Sequence, residues 1–170
     1  MRGERSGIAG SAALLIAVAL LVLRPWESAG PEEGPATAVG RVVRAIDGDT
    51  IEVAVAGRRD DVRLIGVDTP ETVKPDTPVQ CFGPRASSFT HHLLEGRTVR
   101  LSFGVERRDA YGRLLAYVGL GHRFFNAILV RRGLARSLTI PPNDRFAPLF
   151  HHLELRAVRA GRGLWGACRP

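Results

Sequence analysis

Two short apolar runs, each closing on a cluster of charges, constrain this chain more than any other part of it. Val42, Val43 and Ile46 lead into the stretch Asp47-Gly-Asp-Thr-Ile-Glu52, and Val62, Leu64, Ile65 and Val67 lead into Asp68-Thr-Pro-Glu71. Short runs rich in β-branched residues read as strands, and such strands pair through their apolar faces. Pairing leaves the polar ends at one rim, so Asp49, Asp68 and Glu71 converge there with Arg63. Carboxylates gathered this way repel one another, and a positive charge belongs between them. Their hard oxygen donors select Ca²⁺ or Mg²⁺ over Zn²⁺. Arg63 sits in an otherwise apolar strand and therefore needs a partner at hand. Salt bridges at a barrel rim are the plain structural reading of the same residues. An EF-hand loop opening at Asp47 is excluded, because its twelfth position is Arg58 rather than an acid.

The remaining pattern predicts an α+β domain. Three strands are expected at 39–46, 50–56 and 61–67, with Gly57-Arg-Arg-Asp60 turning between the second and third. Pro75 and Pro78 keep 72–79 a loop. A helix begins near Pro84, carries Ala86, Phe89, Leu93 and Leu94 on one side, and stops at Gly96. Strands follow at 98–103 and 114–118, then helices at 124–132 and 144–160, the last with Phe146, Leu149, Phe150, Leu153 and Ala157 on one face. Five strands, one helix inserted after the third and two more at the end make a small barrel. Trp165 reads as a core plug, and the pairs His91-His92 and His151-His152 as surface residues, since helix neighbours diverge by about 100°.

With 170 residues the chain holds one ordinary domain and an appendage. The appendage is legible: Arg2 and Arg5 precede an apolar run from Ile8 to Leu23. A helix of that length spans about 24 Å, short of the ~30 Å hydrocarbon core, and fits a signal peptide or a short uncleaved anchor. The basic start directs the remainder out of the cytoplasm. Residues 1–24 are thus a signal peptide or signal anchor, 25–38 a Pro- and Gly-rich linker, and 39–170 the folded domain. A formal charge of +7 favours anionic partners such as nucleic acid. Lysine occurs once, at Lys74, and arginine supplies the rest.

A third charged loop, Asp109-Ala-Tyr-Gly-Arg113, adds a second arginine and an aromatic ring. A guanidinium fork donates two parallel bonds to a phosphate, and Tyr111 can stack on a base or bond a phosphate. Five segments stand in a fixed order: Ile46-Asp-Gly-Asp-Thr50, Arg63 to Glu71, Phe82-Gly-Pro-Arg-Ala-Ser-Ser88, Asp109 to Tyr117, and Asn126-Ala-Ile-Leu-Val-Arg-Arg-Gly-Leu-Ala135. Across residues 42–166 this series resembles the staphylococcal nuclease (thermonuclease) family. The resemblance implies a five-stranded OB-fold barrel with three helices, and a Ca²⁺-dependent nuclease of DNA and RNA that leaves 3′-phosphate ends. It also implies roles by motif position. Asp49 and Asp68 become carboxylate metal ligands, Thr69 a carbonyl ligand, Glu71 the general base, Arg63 and Arg113 the phosphate clamps, Tyr111 a nucleotide contact, and Asp47 a support behind the ligands.

One segment departs from the family pattern. Ser137-Leu-Thr-Ile-Pro141 stands where the family carries nucleotide-binding tyrosines, which bears on base stacking. The alternative function, a non-catalytic nucleic-acid-binding OB module, predicts loss of Glu71, Arg63 or Arg113, and all three are present. Cys81 and Cys168 are the only cysteines, and both lie in the exported part, where an even count predicts a disulfide between them. No sequence feature points to a protein partner.

Overall fold

The computed structural model describes residues 36–73 and 77–168. The apolar run from Ile8 to Leu23 and the linker up to residue 35 lie outside the described residues. Within them, no helix is long and apolar enough to cross a membrane.

The described residues form eight strands: β1 (Thr37–Ala45), β2 (Thr50–Val55), β3 (Arg58–Leu64), β4 (Val67–Asp68), β5 (Thr98–Arg108), β6 (Leu114–Leu120), β7 (Arg123–Phe124) and β8 (Arg136–Ser137). The helices are α1 (Gly83–Leu94), α2 (Phe125–Arg131), α3 (Ala147–Arg159) and the single turn α4 (Leu164–Ala167). Strands β3-β2-β1-β5-β6 hydrogen-bond in that order, and β3 then pairs with β6, which closes a five-stranded barrel. The closing pair is parallel, with Val62 opposite Leu114 and Arg63 opposite Leu115. Strands β4 and β8 form a separate two-stranded pair, and β7 extends the edge of β6.

The barrel is the expected α+β architecture, with differences at its margins. Strand β1 begins at Thr37, inside the segment read as linker, because Thr37 and Ala38 pair with Ser102 and Leu101 of β5. The turn after β2 is tighter than predicted: Ala56 and Gly57 complete it with positive φ, and Arg58 already pairs with Val55. A one-turn helix, α4, follows α3, and its buried residue is Leu164. The core plug at this edge is therefore Leu164 and not Trp165, whose ring lies half-buried beneath the Arg136 guanidinium at 4.7 Å.

The core combines Val42, Ile51, Val53, Val62, Leu64, Val99, Leu101 and Val118 from the barrel with Phe125, Leu129 and Phe150 from the helices. Alternation of two along β1–β3 and a helical repeat in α2 and α3 deliver these side chains to one interior. Tyr117, Phe124, Phe146 and Phe150 form an aromatic cluster with centroids 4.8–6.4 Å apart. In α1 the buried line is Ala86, Thr90 and Leu94, while Phe89 and Leu93 are only half-buried. Thr90 takes that interior place because its hydroxyl donates to the Gly48 carbonyl at 2.6 Å. Gly66 between β3 and β4 has φ +79, and its missing Cβ makes room for the Phe150 ring. On the outer side of α3, Leu149 is 40% exposed, so the stripe drawn through it is narrower than the sequence suggested.

Candidate active site

The turn from β1 to β2 and the turn after β4 are laced together by side chains. Asp49 is buried, and its Oδ2 accepts the Thr69 N–H at 2.8 Å and the Thr69 hydroxyl at 3.0 Å. Its Oδ1 accepts the Thr50 hydroxyl at 3.1 Å. Asp47 reaches the same loop one step further on, accepting the Gly48 N–H at 2.7 Å and the Thr72 hydroxyl at 2.7 Å. Gly48 is needed for this closeness, since a Cβ there would sit 2.7 Å from Thr69 Oγ1.

Arg63 binds the carboxylates from within β3. Its Nη2 lies 3.2 Å from Asp49 Oδ2 and 3.2 Å from Asp68 Oδ1, while Nη1 donates to the carbonyls of Leu64 (2.9 Å) and Val67 (2.7 Å). The sequence predicted a partner for this arginine, and the structure supplies two acids and two carbonyls. Asp68 is the more open of the acids, with its side chain 53% exposed. Partial burial, followed by the charges of Asp49 and Glu71, raises its carboxyl above the ordinary range against the pull of Arg63 and Arg136. The Asp47 carboxyl is raised too, first by burial and then by its hydrogen bond with Glu71 and the Asp49 charge, although the bonds from Thr72 and Gly48 oppose this.

Glu71 stands at the edge of this group. Its Oε1 accepts the N–H groups of Thr72 and Val73, both at 2.9 Å, which fixes the orientation of the carboxylate. Its own backbone is clasped by Gln80, whose Oε1 accepts the Glu71 N–H at 3.0 Å and whose N–H donates to the Glu71 carbonyl at 2.9 Å. Cys81 follows directly and is joined to Cys168 in a disulfide with a Cα–Cα distance of 5.9 Å.

Barrel closure brings the third loop to Arg63. Arg113 immediately precedes the β6 residues that pair with β3, and Arg63 and Arg113 line one cleft of about 360 Å³ with Tyr111. Asp109 holds Arg113 through Nε at 2.7 Å and accepts its backbone N–H at 2.9 Å. Among the described residues the two terminal nitrogens of Arg113 make no hydrogen bond. Tyr111 is 86% exposed, with the Arg113 guanidinium 5.4 Å from its ring centre. Leu138 and Ile140 form an apolar wall of the same cleft, in the segment where the family pattern has tyrosines.

The acids fit a hard divalent ion by donor chemistry. A single guanidinium nitrogen already stands between Asp49 and Asp68, so the two carboxylates share the reach of one cation, and every nearby donor is oxygen. Among the described residues no three His, Cys, Asp or Glu side chains close into a metal cage. A hard ion held by one or two carboxylates keeps its remaining positions for phosphate and water.

Several supporting residues escaped the sequence reading. Thr50 and Thr72 act through their hydroxyls, as does Thr69, which the resemblance marks only for its carbonyl, and each directly follows an acid of a motif, which is the signal that marks them. Arg136 lies opposite Asp68 in the β4–β8 pair. Gln80 carried no signal at all.

A family model for staphylococcal nuclease homologues matches residues 61–167. The chain is 44% identical over 156 residues to a thermonuclease of Staphylococcus intermedius, covering 89% of this chain and 93% of that protein. It is 39% identical over 160 residues to a thermonuclease of Staphylococcus hyicus, covering 89% of this chain and 94% of that protein. Similarity to an endonuclease of Bacillus subtilis (strain 168) reaches 41% over 124 residues, 72% of this chain and 59% of that protein.

Proposed function

This chain belongs to the staphylococcal nuclease family, and from that premise we propose that it is an exported, Ca²⁺-dependent endonuclease that hydrolyses phosphodiester bonds of DNA, RNA or both. The observation that carries the reading is Arg63, which holds Asp49 and Asp68 with one nitrogen and shares its cleft with Arg113.

Asp49, Asp68 and the Thr69 carbonyl are the groups that would hold the ion. Bound there, Ca²⁺ supplies Lewis-acid charge at a phosphate oxygen. The remaining work belongs to the side chains. A phosphate entering the cleft meets two ordered guanidinium groups, Arg63 pinned by carbonyls and Arg113 pinned by Asp109. Order established before binding lowers the entropic cost of reaching the reactive geometry. As water attacks phosphorus, negative charge grows on the equatorial oxygens, and donors fixed beforehand stabilise it. Glu71 takes the proton of the attacking water, with its carboxylate oriented by the Thr72 and Val73 N–H groups. Loss of the 5′ oxygen leaves a 3′-phosphate end. Tyr111 and the Leu138–Ile140 wall receive the base.

The N-terminal apolar run carries the proposal of export, with the domain released or held at the membrane outside the cytoplasm. Digestion of single- and double-stranded DNA and RNA with Ca²⁺, Mg²⁺ or EDTA, followed by analysis of the new ends, tests the enzyme. Cleavage with Ca²⁺ that stops in EDTA and leaves 3′-phosphates is expected. Full activity in excess EDTA overturns the metal assignment, and tight binding without cleavage returns the chain to the binding-module class.

A further inference from the structure

The helical side of the molecule carries a second concentration of positive charge that the cleavage cleft does not use. Two adjoining depressions of about 660 and 710 Å³ run along α1, α2 and α3, sharing Phe89, Arg131 and Arg132. The first is lined by Arg85, Arg131, Arg132, Arg156 and Arg162, and the second continues past Phe89 to Arg123. No carboxylate lines either one. The three helices contain a single acid, Glu154, and it is turned to the N–H and hydroxyl of Ser137. Among the described residues, Arg85, Arg131, Arg132 and Arg156 have no acidic partner, and all four are exposed. Unpaired like charges on one face repel each other and disfavour the fold, so their concentration calls for an anion to offset it.

The shape of the lining identifies that anion. The guanidinium of Arg132 lies over the Phe89 ring at 5.0 Å and that of Arg85 over Phe82 at 5.4 Å. Stacking on a ring orients a guanidinium and leaves its N–H fork for bidentate bonds to a phosphate. The groove also adjoins the acidic rim along the chain. Phe82 and Gly163 line it, while their neighbours Cys81 and Leu164 line a small cleft of about 210 Å³ with Asp68, Thr69 and Arg136. A strand leaving the reaction centre past Arg136 therefore has a basic track to follow.

We propose that this arginine-lined groove on α1, α2 and the end of α3 is a second binding site for the phosphate backbone of a nucleic-acid strand, outside the cleavage cleft. The proposal rests on the nuclease reading for its substrate. It makes long strands better ligands than short ones, independent of their sequence, because phosphate contacts carry no base information.

The test compares the full chain with the triple variant Arg85→Gln, Arg131→Gln, Arg156→Gln and with the matching triple lysine variant. Each protein is given a trinucleotide and a single strand of about 30 nucleotides, long enough to pass beyond one OB-fold site. The glutamine variant should raise KM for the long strand roughly tenfold, the loss expected of three surface ion pairs. Its kcat and its kcat/KM on the trinucleotide should stay unchanged. The salt dependence of long-strand binding should fall by about two in log–log slope, and lysine should restore most of the affinity because a point charge serves a phosphate. Binding is also measured without metal, by fluorescence anisotropy of the same strand. Groove-dependent binding there, with no cleavage of either substrate once Ca²⁺ is added, would sink the nuclease reading and keep this site, whereas cleavage with no length dependence would sink the site alone. Equal losses on both substrates would place these arginines in the cleavage cleft and overturn the proposal. So would loss of binding to phosphatidylserine vesicles with unchanged strand affinity, which would make the groove a membrane surface.

Discussion

Thr69 gives both its backbone N–H and its hydroxyl to one oxygen of Asp49, at 2.8 and 3.0 Å. That double bond of donors, across twenty residues of sequence, is what sets the first acidic loop against the second. A buried carboxylate is tolerable only when its oxygens are satisfied. Asp49 meets that condition through Thr69, Thr50 and Arg63, so its position is fixed before any substrate arrives.

Thr69→Val keeps the side-chain shape and removes only the hydroxyl. The N–H bond to Asp49 survives, but one lone pair of a buried carboxylate is left unmet, at a cost of about 1–3 kcal/mol. Chemical denaturation should show that loss as a lower midpoint with an unchanged slope. Calcium titration by calorimetry should show weaker binding, because Asp49 is no longer held in place. An unchanged midpoint would mean that water satisfies the oxygen equally well.

The reacting groups separate by what each substitution removes. Glu71→Gln preserves an acceptor for the Thr72 and Val73 N–H groups but cannot take a proton, so kcat should fall by roughly 10²–10⁴. Arg113→Lys keeps the charge and loses the two-pronged grip, for a cost on the order of 10²–10³ in kcat. Arg63→Lys should lose as much activity and also stability, since Arg63 holds two carbonyls and two carboxylates of the fold. A Glu71→Gln protein that folds normally and cleaves at the wild-type rate would remove Glu71 from the mechanism.

Much of this arrangement is legible in the sequence because its signals are local. Alternating apolar residues in β1 to β3 mark the barrel strands, and the acids at their ends mark the rim. Ordered motifs bring Arg113 and Tyr111 into the account. What local pattern cannot show is pairing between distant strands. The parallel contact of β3 with β6, which sets Arg113 beside Arg63, has no signature in either segment. Helix orientation is equally hidden: Thr90 is buried through its bond to Gly48, and Phe89 is turned outward to the basic groove. Trp165 misled for a related reason, since a large apolar ring can be covered by the stem and head of an arginine as readily as by a core.

Acid should loosen the Arg113 loop in a defined direction. Burial pushes the Asp109 carboxyl up, but the bonds and charge of Arg113 and the Tyr111 N–H outweigh it and hold the group below its ordinary value. A carboxyl depressed on folding contributes stability that is fully present above its unfolded pKa of about 3.9 and is lost as pH falls through the folded value. Asp109→Asn should therefore lower the melting temperature by a constant amount near neutral pH. Below about pH 4 the difference from wild type should close. A gap that persists in acid would assign the effect to packing instead of charge.

The disulfide stabilises the same region from the other side. Cys81 lies just before α1 and Cys168 just after α4, so the bond ties the chain end to the loop that carries Gln80 and, through it, Glu71. It spans 87 residues, and closing a loop of that size in the unfolded chain contributes about 4–5 kcal/mol in the chain-entropy account, an upper value. Reduction should lower the melting temperature by many degrees. Cleavage at low temperature should persist, because Gln80 holds Glu71 by two hydrogen bonds that do not involve sulfur. Thiol titration of the unfolded, unreduced protein should find none, and two reactive thiols per chain would refute the bond. If reduction abolished cleavage while the fold survived, the bond would be positioning Glu71 directly, and the Gln80 clasp would be insufficient alone.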